Sequence, residues 1–498
     1  MKLFIEKEPI EKNDFNQPES LSKKVVRGGI WVFALRIINR GLGFIRTIIL
    51  ARLLAPHDFG LLGIALLSIS ILETFSQTGF QTALIQKKRK VESYLDTAWT
   101  VSAIRGIILF LILFSFAPVI AKFFDSAQAT LVIRVIAVST LLSGFRNIGI
   151  LFFKKELQFN KQFIYEFSGT LVDITVAISL AFILRNVWAL VWGGLAANFV
   201  RLFMSYIIHP YRPRIKFEKE KFLKLFSFGK WVLGSSILVF LITQGDDIFL
   251  GKMLGVSALG LYQMAYLISN LPATEISHVI SQVTFPAFSK LQDDLPKLRE
   301  AYLKVLQLTT FIAIPLAAGI LILAPEFTKI FLGDKWMPMV PAIQILVLAG
   351  LVRSIAATSG PVFYAKGRAK IDTILQIIRL IVLAALIYPL AIKWGMSGVS
   401  IAVFLSIFIS NIGFSFMVIK ITKCSVAHFT KMMTLPLING TIAGLLILGL
   451  KSTMGTGILE FIIFACMGAL VYLILVYLSD KFFNYEMQTL IKESLKSF

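Results

Sequence analysis

The sequence predicts an all-α membrane protein, and three observations carry that reading. Of 498 residues, 57% are hydrophobic and 16% are charged, whereas soluble domains average roughly 45–50% apolar and 25% charged. Mean hydropathy is +0.79, and apolar stretches of about 20 residues, the length that crosses a bilayer, recur from end to end. Lys and Arg gather in alternate connections between those stretches. A lipid environment leaves no water for backbone N–H and C=O groups, so such stretches must satisfy them internally as helices.

Taken in order, the spans fall near 28–51, 60–84, 97–121, 129–152, 164–184, 188–208, 225–244, 259–285, 305–324, 339–363, 371–392, 399–419, 432–450 and 458–479, about 14 transmembrane helices. Residues 1–24 are polar and of mixed charge, without the apolar core of a signal peptide, so the first span reads as a retained helix. The chain carries 50 Lys+Arg against 28 Asp+Glu, a net +22. With the N-terminus inside, 32 of the basic residues lie in cytoplasmic segments and 8 in the opposite connections. Basic residues are retained on the cytoplasmic side, so both termini are expected there.

Residues 29–70 reappear about 200 positions later: ILARLLAPHDFGLLGIALL and FLGKMLGVSALGLYQMAYL share one pattern, with Gly60-Leu61 answered by Gly260-Leu261. Both copies start inside, which predicts two six-helix lobes in a parallel pseudo-twofold repeat plus a C-terminal helix pair. The expected division is a cytoplasmic tail (1–24), a first lobe (25–209), a cytoplasmic linker (210–224), a second lobe (225–424), an extra helix pair (425–480) and a second tail (481–498). Two-lobe bundles of this kind suit alternating-access transport, although duplication also builds scaffolds and channels.

Ten basic residues lie within the spans, among them Arg36, Arg40, Arg46, Arg105, Arg353 and Arg379. The interior acids number four: Glu73, Glu166, Asp173 and Glu275. A charge at mid-membrane costs about 2.5–3.5 kcal/mol on insertion scales, so such residues face partners or a cavity. Arg146, Arg201, Lys230 and Arg134 lie near span ends, where long side chains snorkel to headgroups. Arg36, Arg40 and Arg46 share one arc of roughly 120° on the first helix. Guanidinium groups match phosphate oxygens in pairs, so a phosphate-bearing substrate suits the cationic surplus, with helix–helix ion pairs as the competing explanation. The substrate-binding candidates are therefore Arg36, Arg40 and Arg353 for a diphosphate, with Arg46, Arg105 and Arg379 along the path. Glu73, Glu166 and Asp173 are the ion-coupling candidates.

The last two spans hold no ionisable residue in their cores, and Gly440 and Gly444 form a GxxxG packing face. Pro272, Pro315 and Pro389 interrupt spans, and Pro296 marks a helix start in the FPAFSKLQDDLPKLREAYLK connection. No phosphate-binding GxxxxGK[ST], HExxH, CxxC or EF-hand pattern occurs, and two cysteines allow no disulfide framework, so no catalytic residue, metal or cofactor is expected. Nucleic acid is a poor match for a basic chain with this many apolar spans.

Span 1 followed by TIILARLLAPHDFGLLGIA and SQTGFQTALIQKK resembles the opening of the polysaccharide transporter family. GDDIFLGKMLGVSALGLYQMAYLISNLP followed by FPAFSKLQDD is similar to the same family's second half. Within the multidrug/oligosaccharidyl-lipid/polysaccharide exporter superfamily, the likeness is to Wzx-type flippases of the colanic-acid-exporter kind, over roughly 20–480. The resemblance implies a bacterial inner-membrane flippase that turns undecaprenyl-diphosphate-linked oligosaccharide repeat units across the membrane, without catalysis, for surface polysaccharide synthesis. It implies as partners that polyprenyl-diphosphate-linked oligosaccharide, membrane lipids, and a polysaccharide polymerase with chain-length machinery. It also implies two lobes about a cationic cavity, with the extra helix pair near the lipid tail. The rival functions are a multidrug exporter of the same superfamily, which would call for an acidic cavity, and a membrane-bound polysaccharide enzyme.

Overall fold

A computed structural model describes residues 38–76, 80, 84, 91–156, 158–270, 284–455, 457–483 and 485–490; side chains at 154, 221–233 and 235 are not described. Arg36, Glu275, Pro272, the Lys230 side chain and most of both tails lie outside what is described.

Helices follow the apolar stretches. The first half holds α1 (38–53), α2 (Pro56–Phe75), α3 (Glu92–Phe123), α4 (Ala129–Gly144), α5 (Phe159–Leu184) and α6 (Trp188–Ile208). The second half holds α7 (Lys219–Leu254), α8 (Val256–Ser269), α9 (Leu295–Phe327) and α10 (Val340–Ala356). One 54-residue helical stretch, Ala369–Thr422, divides at Gly395 (φ 54°) into α11 (369–394) and α12 (396–422). The arms run antiparallel, since Ser410 Oγ donates to Leu375 O at 2.9 Å. α13 (Val426–Lys451) and α14 (Ile458–Phe483) complete the bundle. Among the described residues nine helices are long and apolar enough to cross a membrane, counting Ala369–Thr422 once, while α4 and α8 are shorter apolar helices. This is a multi-pass, all-helical membrane architecture; a count of 14 crossings is not reached on those criteria.

Pro296 sits in the first turn of α9 as expected, with Asp294 as N-cap accepting from Lys297 N at 3.2 Å. Proline loses nothing there, because that N–H has no intrahelical partner. Pro315 and Pro389 lie inside α9 and the Ala369–Thr422 stretch.

The two halves meet through the repeated segments. A Cβ on Gly60 would lie 1.9 Å from Val256 O, and a Cβ on Gly260 would lie 1.9 Å from Pro56 O. Positions 56 and 256, like 60 and 260, are equivalent at an offset of 200, so the contact is reciprocal, as a twofold relation requires. Only glycine lets α2 and α8 approach this closely.

At the end of the bundle where α1 turns into α2, loops from the two halves interlock. Trp336, fully buried between α9 and α10, donates from Nε1 to Ala51 O at 2.9 Å and packs edge-on against Phe59 at 5.2 Å. Lys335 Nζ donates to Arg52 O at 2.8 Å, and the Arg52 guanidinium donates to Ile330 O. Lys252 pairs with Asp125 at 2.6 Å.

At the opposite end, the chain between the halves is strapped onto α3. Asp96 accepts from Arg214 N at 3.1 Å and from the Tyr211 hydroxyl. Thr100 Oγ1 accepts from Lys216 N at 3.0 Å, and buried Asn147 donates to Tyr211 O at 2.6 Å. Helix α7 begins at Lys219, inside the 210–224 stretch expected as linker, and the run before it is the part bonded to α3.

Candidate functional site: a guanidinium cavity and an apolar groove

In the second half, α10, α11, α12 and the end of α8 enclose a cavity of about 340 Å³ lined by Asn270, Arg353, Asp372, Gln376, Arg379, Ser410 and Asn411. Arg353 is fixed from two directions: Nη1 donates to Asn270 Oδ1 at 3.0 Å and Nη2 to the Tyr266 hydroxyl at 2.7 Å. Its guanidinium carbon stands 5.4 Å from the centre of the Tyr266 ring, a cation–π contact. Arg353 Nε and Arg379 Nε are buried with no hydrogen-bond partner among the described residues. Asp372, the carboxylate in the lining, accepts from the Tyr364 hydroxyl at 2.8 Å. Two guanidinium groups with amide and hydroxyl neighbours have the chemistry to hold a phosphate-bearing group, because planar N–H pairs match its oxygens.

The other predicted positions are distributed more widely. Arg46 on α1 is held by Asp173 on α5 at 2.8 Å, both side chains being about four-fifths covered (19% and 23% exposed). Arg105 on α3 donates from Nε to Ser76 Oγ at 2.9 Å and from Nη2 to Glu73 O at 3.0 Å. It thus bonds the C-terminal end of α2, where carbonyls lack helical partners. Glu73 is exposed, Glu166 is exposed and accepts from Gln162 at 2.9 Å, and Arg40 is exposed on α1. Arg353 and Arg379 are thus brought together, while Arg46 and Arg105 are engaged elsewhere.

Two features escaped the sequence reading. Arg146, just past the end of α4, donates to Asn198 Oδ1 on α6 at 2.5 Å, and Arg201 lies against Gly169, whose Cβ would meet its Nε at 2.5 Å. Asp246 and Asp247 fell beyond a span drawn to 244, yet α7 continues to Leu254. Asp246 is 3% exposed and accepts from the Tyr262 hydroxyl at 2.7 Å. Two adjacent carboxylates depress local hydropathy and end an apolar window early; the GDD triplet inside an otherwise helical pattern was the available signal.

Beside the helix pair α13–α14 runs an apolar groove of about 530 Å³, walled by Pro315, Gly319 and Phe327 of α9, Gly440 and Gly444 of α13, Phe464 and Gly468 of α14, and Phe44 of α1. The GxxxG face turns toward α9: Cβ atoms on Gly440 and Gly444 would touch Ile314 and Ile322. The small residues leave room between the helices, and the lining offers no charge.

This chain is similar to lipopolysaccharide biosynthesis protein WzxC of Escherichia coli (strain K12), at 29% identity over 355 residues, 71% of this chain and 72% of that one. It is also similar to succinoglycan biosynthesis transport protein ExoT of Rhizobium meliloti (strain 1021), at 23% identity over 469 residues, 93% of this chain and 95% of that one. Among solved structures, lipid II flippase MurJ in an inward closed conformation shares the fold, with TM-score 0.72 at 19% identity over 91% of this chain and 99% of that chain. Residues 49–341, more than half of the chain, match the family described as polysaccharide biosynthesis protein, and the chain belongs to that family.

Proposed function

We propose that the protein is a flippase that carries polyprenyl-diphosphate-linked oligosaccharide units across the bacterial inner membrane for surface polysaccharide assembly, by alternating access and without catalysis. The observation that carries this reading is the cavity where Arg353 and Arg379 converge with Asn270, Gln376 and Asn411 in an otherwise apolar bundle. Two guanidiniums can each pair with one phosphate of a diphosphate. The apolar groove along α13 and α14 fits the hydrocarbon part of the same ligand. The similarity to a succinoglycan transport protein and to a lipid II flippase supports the same reading.

In this scheme Arg353 and Arg379 hold the diphosphate, with Arg40 on the first helix, and Arg36 before it in sequence, meeting the headgroup as it enters. Arg46 and Arg105 position helices through Asp173 and the end of α2. Both termini lie in the cytoplasm, in keeping with the distribution of Lys and Arg, and a polymerase with chain-length machinery takes up the delivered units. The test is the double variant Arg353→Ala/Arg379→Ala in a strain deleted for the native gene. Surface polysaccharide is lost while membrane protein level is unchanged, and lipid-linked units accumulate facing the cytoplasm. Full polysaccharide output from that strain overturns the assignment.

A further inference from the structure

Five prolines lie inside the numbered helices: Pro118 in α3, Pro315 and Pro325 in α9, Pro389 in α11 and Pro436 in α13. Each removes the N–H that would bond the carbonyl four residues back, and inside a bilayer no water replaces it. Four of those carbonyls are taken up by a side chain from another helix. Arg134 Nε of α4 donates to Phe114 O at 3.2 Å, and Gln344 Nε2 of α10 donates to Leu321 O at 3.1 Å. These two serve Pro118 and Pro325, and in each half the proline is on the third helix and the donor on the fourth. The other two tie α13 and α14 to α9. The Tyr472 hydroxyl of α14 donates to Phe311 O, freed by Pro315, at 3.1 Å. Thr310 Oγ1 of α9 donates to Met432 O, freed by Pro436, at 2.9 Å. Among the described residues no side chain bonds Ala385 O, the carbonyl that Pro389 frees.

Thr310 is fully buried, and its Oγ1 also lies 3.0 Å from Leu306 O and Gln307 O of its own helix. Those carbonyls have the N–H groups of Thr310 and Phe311 four residues on, whereas Met432 O has a proline there. The single hydroxyl proton therefore goes where a donor is missing. Tyr472 is buried as well, with its ring 5.9 Å from the Phe311 ring. Further bonds run along α9 on either side of these two. Gln307 donates to Tyr485 O just beyond α14, and Lys451 at the end of α13 donates to Ile322 O at 2.9 Å and pairs with Glu326 at 2.7 Å. Phe311, Pro315 and Tyr472 all line the apolar groove, so the Tyr472 bond stands at its wall.

The groove needs both a bent α9 and neighbours held at a set distance from the bend. Without the Tyr472 hydroxyl, Phe311 O faces hydrocarbon with no donor, and the bond that sets α14 against the bend is gone. We propose that Tyr472 and Thr310 are positioning residues for a polyprenyl chain. By filling the carbonyls that Pro315 and Pro436 leave free, they hold α13 and α14 at a fixed spacing from α9 and keep the groove open to the chain. The inference rests on the reading of the groove as the place of the hydrocarbon. Neither residue lines the guanidinium cavity, so the headgroup is bound independently of them.

The experiment compares undecaprenyl diphosphate with isopentenyl diphosphate, which shares the headgroup and carries a single isoprene unit, binding to the full-length protein in lipid nanodiscs. The wild type is expected to bind the longer chain more tightly. Tyr472→Phe and Thr310→Val are each expected to reduce that preference about fivefold with affinity for isopentenyl diphosphate unchanged, and Thr310→Ser to keep it. Restoring the missing N–H supplies a second measurement. Tyr472→Phe is expected to lower the unfolding temperature in the wild-type background and leave it unchanged in Pro315→Ala, and Thr310→Val to do the same against Pro436→Ala. Equal shifts in both backgrounds would show that these side chains act by packing alone, and overturn the proposal. The two cycles are independent, so either decides if a variant of the other fails to fold. A full chain preference in both Tyr472→Phe and Thr310→Val also overturns it. A wild type with no preference for the longer chain overturns the reading of the groove, and the proposal falls with it.

Discussion

Arg46 and Asp173, 127 residues apart, close a 2.8 Å ion pair between α1 and α5. Removing one partner of a buried pair strands the other charge, at a cost of about 3–5 kcal/mol when the site is dry. The pair retains some exposure, so Asp173→Asn is expected to cost about 3 kcal/mol, the low end of that range. Thermal unfolding of the purified protein measures it, and the charge-swapped double variant Arg46→Asp/Asp173→Arg recovers part of the loss, which a double-mutant cycle isolates.

Gly60→Ala and Gly260→Ala each place a methyl group 1.9 Å from a backbone carbonyl oxygen of the other half. Overpacking costs about 1–3 kcal/mol where neighbours can yield, and backbone yields least. Each variant is expected to lose about 3 kcal/mol or more. Size-exclusion profiles after solubilisation read this directly: a wild-type monodisperse peak for both variants would mean that α2 and α8 do not cross at these glycines.

Trp336→Phe keeps the apolar contact with Phe59 and removes the bond to Ala51 O. A neutral hydrogen bond contributes about 1 kcal/mol net. The expected outcome is a shift of about fivefold toward opening at that end. Labelling rates of a cysteine placed at Ala51 report the shift, and an unchanged rate refutes it.

Tyr266→Phe removes one of the two groups that fix Arg353 and leaves the ring. A bond from a charged donor contributes about 1.5–3 kcal/mol. Binding of a polyprenyl diphosphate is expected to weaken about tenfold, with thermal stability falling by no more than the contribution of that bond. Equal affinities for the two proteins would show that Tyr266 does not position the guanidinium.

The strap between the halves is expected to be acid-sensitive. Burial, together with the charges of Lys161 and Arg212, holds the His209 imidazole below its usual 6.5. The ring stacks on Phe152 at 5.8 Å, and its Nδ1 accepts from Tyr211 N at 3.2 Å, a bond that the protonated ring cannot accept. The unfolded segment binds a proton more readily than the folded one, so local stability falls as pH drops below about 6.5 and levels off below the folded value. Hydrogen exchange of residues 211–218 should quicken, beyond its intrinsic pH dependence, between neutral pH and about pH 5. His209→Gln should abolish that change.

The sequence by itself determined the all-helical membrane architecture, the expected inside–outside bias and the repeat. Hydropathy and charge are written along the chain, and a bilayer reads them segment by segment. It also marked Arg353 and Arg379 among the cations that lie within the spans. Only the tertiary structure decided which cations are engaged: Arg46 with Asp173, Arg105 with the end of α2, Arg146 with Asn198. It also carried α7 past residue 244, burying Asp246 beside Tyr262. The physical reason is that a buried charge is assigned by whatever helix packs against it, and those partners lie tens to more than a hundred residues away. A window along one helix contains no such partner.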